Sequence, residues 1–265
     1  MRSTNNPQAF EAYLEGERKF SIVSQSDMTE SQKKFAEATA LDDQYARAWG
    51  WRAYTLTRSI AMGWEDESRI TEAKEWAEKA VGLDDDDYAT HWDLAFVLLY
   101  EGEFDGALLS YMKALDLYEN RTDHLDRKHG LLAELAEAYI YTGEPGKAIA
   151  YLERAKRVPD WYKWNLAWAD FNNEDYQAAH NELDSMASQP GDRAYVPDVD
   201  LLRAATLVKL GDTAEAKRVL GDFLAAQPGY SEKDVNKRAQ FRRASDRQRW
   251  IDALRAAGLP SPKNA

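Results

Sequence analysis

Three stretches of this chain superpose without a gap: EGEFDGALLSYMKALDL (101–117), TGEPGKAIAYLERAKRV (142–158) and LGDTAEAKRVLGDFLAA (210–226). Each opens on a Gly, followed at five, four, three and three residues by small or apolar residues. The three sets are Gly102, Ala107, Tyr111, Ala114, Leu117; Gly143, Ala148, Leu152, Ala155, Val158; and Gly211, Ala216, Leu220, Phe223, Ala226. The later steps trace one face of an α-helix. The Gly stands where a preceding helix ends and the chain turns. Upstream of each Gly another helical segment carries a pair ending in Ala: Leu94-Ala95, Leu135-Ala136 and Arg203-Ala204. The small residue lets two antiparallel helices approach closely. A helix–turn–helix that recurs in register cannot bury its apolar face alone, so its copies must stack. No alternating apolar pattern of useful length competes with this reading.

Gly143 and Gly211 stand two 34-residue periods apart, and that spacing and pattern resemble the tetratricopeptide repeat. The resemblance implies an all-α, right-handed solenoid. We expect about six units, near 7–42, 46–83, 89–120, 129–160, 161–190 and 197–230, in an array covering 1–230. Several are degenerate. The connection TRSIAMGWEDESRITE in the second unit is about eight residues longer than the repeat allows, and a further insertion lies near ENRTDHLDRKHG. After Pro228 the pattern breaks. SEKDVNKRAQF and SDRQRWIDALRAAGLP predict two capping helices within 231–265, because the last unit of a stack would otherwise expose an apolar face. Ser245 is the candidate N-cap of the second. Gly258 and Pro260 supply its stop.

Over roughly 5–258, NPQAFEAYLEGERKF, then KKFAEATALDDQYARAWGWRAYTLTRSIAMGW, and the ending RRASDRQRWIDALRAAGLP look similar to the repeat region that follows the catalytic domain in many bacterial class III adenylate/guanylate cyclases. Similar regions follow winged-helix domains in some transcriptional regulators. Here the repeats begin near residue 7, and the expectation is an accessory module without the effector. No catalytic residue carries over, and no enzyme activity is expected.

Composition narrows the chemistry. The formal net charge is −12, which disfavours nonspecific grip on nucleic acid or anionic membrane. Cysteine is absent, removing disulfides, thiol catalysis and thiolate metal sites. No apolar run is long enough to insert into a bilayer, and the N-terminus lacks a signal-peptide core. The expected location is cytoplasmic, or periplasmic if a leader is removed. The acidic run LDDDDYATH (83–91) lacks the ligand spacing of a calcium loop and reads as helix capping at a unit junction. His91, His124, His129 and His180 show no i, i+4 pair of the zinc type. Neither a phosphate-binding glycine loop nor a nucleophile motif is present. No cofactor and no metal are expected.

The aromatics remain. WYKWNLAWADF (161–171) holds three tryptophans, each able to bury about 150–250 Å². In the repeat register, Trp161, Trp164, Trp168 and Phe171 take first-helix positions 2, 5, 9 and 12, which in this family line the concave groove. Lys163 and Asp170 then fall at packing positions, where polar residues are unexpected. A slip of one residue makes Trp164 the core tryptophan instead. The third unit repeats the pattern with Trp92, Phe96 and Tyr100, and the second adds Tyr54. These eight rings are the candidate partner-binding groove. The competing reading is that the C-terminal helices, or the insertion near Trp64, fold over and bury them.

The leading functional expectation is a noncatalytic scaffold that takes a protein or peptide partner, basic or neutral given the acidic chain, by apolar anchoring. The alternative is a small-molecule-sensing regulatory module with a closed aromatic pocket. A third reading is homo-oligomerisation through an exposed helix face.

Overall fold

The structure, a computed structural model, describes residues 4–20, 24–120, 128–155, 160–187, 198–238 and 241–261. Those residues form fourteen α-helices and a short 3-10 turn, and no strand, so the all-α fold predicted from the repeat is the one observed. The helices fall into two compact units, Met1–Asp126 and Arg127–Ala265. The first holds α1 (Pro7–Phe20), α2 (Gln25–Leu41), α3 (Ala46–Ala61), α4 (Ile70–Leu83), α5 (Tyr88–Glu101) and α6 (Phe104–Glu119). The second holds α7 (Lys128–Tyr141), α8 (Pro145–Arg154), α9 (Asp160–Asn172), α10 (Tyr176–Ala187), α11 (Asp198–Leu210), α12 (Thr213–Ala226), α13 (Glu232–Arg238) and α14 (Ala244–Ala257). Successive helices pack as hairpins, α1 with α2 through α11 with α12, and α14 closes on α11 and α12.

The repeat residues do what their spacing requires. Ala95, Ala136 and Ala204 on the first helices, and Ala107, Ala148 and Ala216 on the second, are completely buried. A larger side chain at any of them would push a hairpin apart. Gly102, Gly143 and Gly211 adopt φ of 90°, 80° and 90°. Each lets the next N–H reach back to the helix it leaves: Glu103 to the Leu98 carbonyl at 2.9 Å, Glu144 to Tyr139 at 2.8 Å and Asp212 to Leu207 at 2.9 Å. That is the left-handed helix stop for which glycine is favoured.

The α9–α10 hairpin makes the same turn without glycine. Glu174 takes its place at φ 63°, and the Asp175 N–H closes on the Asp170 carbonyl at 2.9 Å. A side chain in this conformation costs about 1 kcal/mol. Against this, Glu174 pairs with Arg249 at 3.0 Å while remaining 61% exposed, which contributes little. Glu174→Gly is therefore expected to stabilise the fold by about 0.5–1 kcal/mol. A urea midpoint at or below that of the wild type would show that the ion pair outweighs the backbone strain.

The acidic run caps helices, as its position suggested. Asp84 ends α4, and the Asp87 carboxylate accepts from the Ala89 N–H at the start of α5. The long α3–α4 connection is used up in a further left-handed turn at Gly63, φ 71°, with the Trp64 N–H on the Ser59 carbonyl at 2.9 Å, and a 3-10 turn (Glu67–Arg69) capped by Asp66. One cap differs from expectation. α14 begins at Ala244 with Arg243 as its N-cap, so Ser245 lies inside the first turn. Gly258 ends the helix at φ 106°, as predicted.

Candidate interaction faces

On the first unit, one continuous run of rings crosses the first helices of three hairpins. Phe20 at the end of α1 meets Trp51 at 4.9 Å and Tyr54 at 5.7 Å, both on α3. Trp51 stacks on Phe35 of α2 at 5.3 Å. Tyr54 stacks on Phe96 of α5 at 4.4 Å, and Phe96 meets Tyr100 at 4.8 Å. The Arg58 guanidinium lies over the Phe96 ring at 5.8 Å. The order follows from helical spacing: Trp51, Tyr54 and Arg58 share one face of α3, as do Trp92, Phe96 and Tyr100 on α5. Phe96 and Tyr54 are buried at 0% and 8%, whereas Phe20, Trp51, Arg58, Trp92 and Tyr100 are half-buried. Phe96 and Tyr54 thus form the floor of this face and the half-buried groups its margin. Two members, Phe20 and Trp51, lie outside the expected set. Their signal was the i, i+3 step from Trp51 to Tyr54. Phe20 closes the run only because the end of α1 folds onto α3.

Beside this face lies a near-buried ion pair. Arg47 on α3 donates twice to Asp87, at 2.5 and 3.0 Å, and its guanidinium sits 5.9 Å above the Tyr88 ring. Burial alone would lower the Arg47 pKa, but the hydrogen bonds and charge of Asp87 outweigh it and hold the group above its ordinary value. Arg47 is consequently a fixed strut between the second and third hairpins.

On the second unit the expected groove residues are largely covered. Trp168 is 2% exposed and Phe171 1%, so neither ring offers surface to a partner. The cover comes from the end of the chain. Trp168 meets Trp250 of α14 edge-on at 4.6 Å and stacks on Phe241 at 5.8 Å, and Phe171 packs under Tyr176 of α10 at 5.4 Å. Trp164 is half-buried and stacked on Trp168 at 6.0 Å. The side chain of Trp161 lies outside the described residues. The expectation of four rings on an open face is thus corrected for Trp168 and Phe171, and on the first unit for Phe96 and Tyr54. Apolar positions on the first helices are also where a capping segment or a neighbouring ring finds most surface to bury. The eight residues divide four to each unit.

Asp170 bears out the warning its register position gave. It is 8% exposed and forms no ion pair among the described residues. Burial, reinforced by the Asp175 and Glu182 carboxylates, pushes its pKa up to about 6. A carboxyl that binds its proton more tightly in the folded than in the unfolded chain favours the fold at low pH. The penalty therefore grows as pH rises from about 4 to 6 and is complete above that. Asp170→Asn is expected to add about 2 kcal/mol at pH 8 and almost nothing at pH 4. Equal urea midpoint shifts at both pH values would rule out a buried charge as the cause.

Among the described residues no group of three His, Asp or Glu is arranged to hold a metal ion, and no helix is long and apolar enough to cross a membrane. His124 lies outside the described residues.

Residues 129–158 match the tetratricopeptide repeat family model. No curated protein matches the chain. Among solved structures, the chain is similar to pilF of Pseudomonas aeruginosa, at 15% identity over 89% of this chain and 100% of that one, with a TM-score of 0.57. It is also similar to a chain of the APC/C hetero-tetramer Cut9–Hcn1, at 15% identity over 93% of this chain but 46% of that one, with a TM-score of 0.61. A third is a tetratricopeptide repeat protein from Parabacteroides merdae, at 14% identity over 93% and 99%, with a TM-score of 0.50. At such identities the likeness is one of fold. Together with the in-register hairpins and their left-handed stops, it identifies this chain as an all-α array with the fold of a tetratricopeptide repeat protein.

Proposed function

We propose that this chain is a noncatalytic scaffold whose first unit holds an extended segment of a partner protein. The observation that carries the reading is the run of rings from Phe20 through Trp51, Tyr54 and Phe96 to Tyr100, with ring centroids 4.4–5.7 Å apart. Its buried floor is pre-formed, so an incoming side chain orders little protein on binding. Its half-buried margin of Trp51, Trp92 and Tyr100 supplies amphipathic anchors of the kind that dominate interface energetics. The net charge of −12 favours a neutral or basic segment.

Peptides selected by display on the full chain, then measured by calorimetry, test this. Trp92→Ala and Tyr100→Ala each change a half-buried margin residue, so the fold should survive. Affinity is expected to fall about tenfold in both, the size typical of an aromatic anchor, with the urea midpoint little changed. Selected peptides that bind both variants as tightly as the wild type would place the interaction elsewhere.

A further inference from the structure

The strap that leads into α14 has the form of a bound ligand. Phe241 is 3% exposed, with its ring 5.6 Å from Tyr141 of α7, 5.8 Å from Trp168 of α9 and 6.5 Å from Trp250 of α14. The next residue, Arg242, donates its main-chain N–H to the Tyr141 carbonyl at 2.9 Å. The Arg243 guanidinium then lies across Gly143, so close that a Cβ there would fall 2.5 Å from its Nε. An aromatic anchor in a pocket, one main-chain hydrogen bond and a basic flank are the contacts by which helical grooves hold extended peptides.

The seat is also poorly satisfied. The indole N–H groups of Trp164, Trp168 and Trp250 and the Oδ1 of Asn172 are buried with no hydrogen-bond partner among the described residues. A buried donor without an acceptor loses its hydration with nothing in return, so the strap is held less tightly than its apolar contacts alone would suggest. The helix behind it is anchored separately. Ile251, Leu254 and Ala257 are buried, and Arg255 donates to Glu232 of α13 at 2.9 and 2.7 Å. The strap can therefore leave its seat while α14 stays.

We infer that the Tyr141–Trp168–Trp250 seat is a docking site for an external segment in which an aromatic residue is followed by basic ones, and that Phe241–Arg243 is its resident, autoinhibitory occupant. A competing segment gains when it also brings carbonyl or carboxylate acceptors to the orphaned indole N–H groups. This site is separate from the ring run of the first unit, and either can fail without the other.

Two measurements on the full chain decide it. In the wild type, amide exchange at Arg242 is expected to run at least tenfold faster than in the core of α9, because the strap opens locally. Exchange as slow as that core would mean that the strap is part of the cooperative fold and would overturn the proposal. The second measurement uses Phe241→Ala and the acetylated, amidated peptide FRRAS, the chain's own residues 241–245. The peptide is expected to bind the variant at least tenfold more tightly than the wild type and to shift tryptophan emission, while ARRAS does neither. A folded variant that ignores FRRAS, or takes both peptides equally, would also overturn it. Should Phe241→Ala not fold, Phe241→Leu, which keeps an apolar filler, replaces it with the same peptides, and the wild-type exchange result stands alongside.

Discussion

Trp168→Ala is expected to cost about 3–5 kcal/mol of stability, the range for emptying a well-packed aromatic site. The ring is 2% exposed and touches Trp164, Phe241 and Trp250 together. Its removal opens a cavity that α9, α14 and the strap cannot all close upon. The variant should unfold at markedly lower urea and bind ANS before its main transition. Trp164→Ala, at a half-buried neighbour, should cost distinctly less. A larger loss in Trp164→Ala than in Trp168→Ala would mean that Trp164 is the core ring, and that the register is shifted by one residue.

The second large effect is on the other unit. Asp87→Ala removes at once the N-cap of α5 and the only carboxylate bonded to Arg47 among the described residues. Arg47 is 18% exposed and Asp87 7%, so the stranded guanidinium cannot recover full hydration. Breaking such a pair from one side costs about 3–5 kcal/mol. Replacing both members, with Arg47→Met and Asp87→Ser, keeps an N-cap and removes the stranded charge. Most of the loss should then return, since the desolvation of both ions no longer opposes folding. A double variant as unstable as Asp87→Ala would show that the cost lies in the cap or the local packing rather than in the charge.

These two sites differ in how far sequence alone could find them. Asp87 was legible as a cap, because Asp before an apolar helical run has a local role. Its partner Arg47 was not, because forty residues separate the two and only the stacking of α3 on α5 brings them together. Trp168 was legible as a ring on the groove face of its helix. What lies against that ring was not, since a face of a first helix looks the same in sequence whether it meets solvent, a partner or the end of its own chain. Asp170 is the intermediate case. Its register position marked it as a polar residue among packing ones, but the size of its pKa shift depends on Asp175 and Glu182, whose nearness comes from the turn and the hairpin. Glu174 shows the reverse. It stands five residues before Ala179, the offset at which the three matched stretches have glycine, and the turn closes there regardless.

By itself, the sequence determined the hairpin period, the buried alanines, the left-handed glycine stops and the helical cap at the end. Each follows from local backbone preference or from a spacing of three to five residues. The tertiary structure alone decided which aromatic rings remain at a surface. On the first unit, Phe20 and Trp51 extend a face that begins with Tyr54 and Phe96. On the second, Phe241 and Trp250 close over Trp168. Burial is a property of what lies opposite a residue, and what lies opposite comes from the next hairpins along the chain on the first unit and from the far strap and α14 on the second.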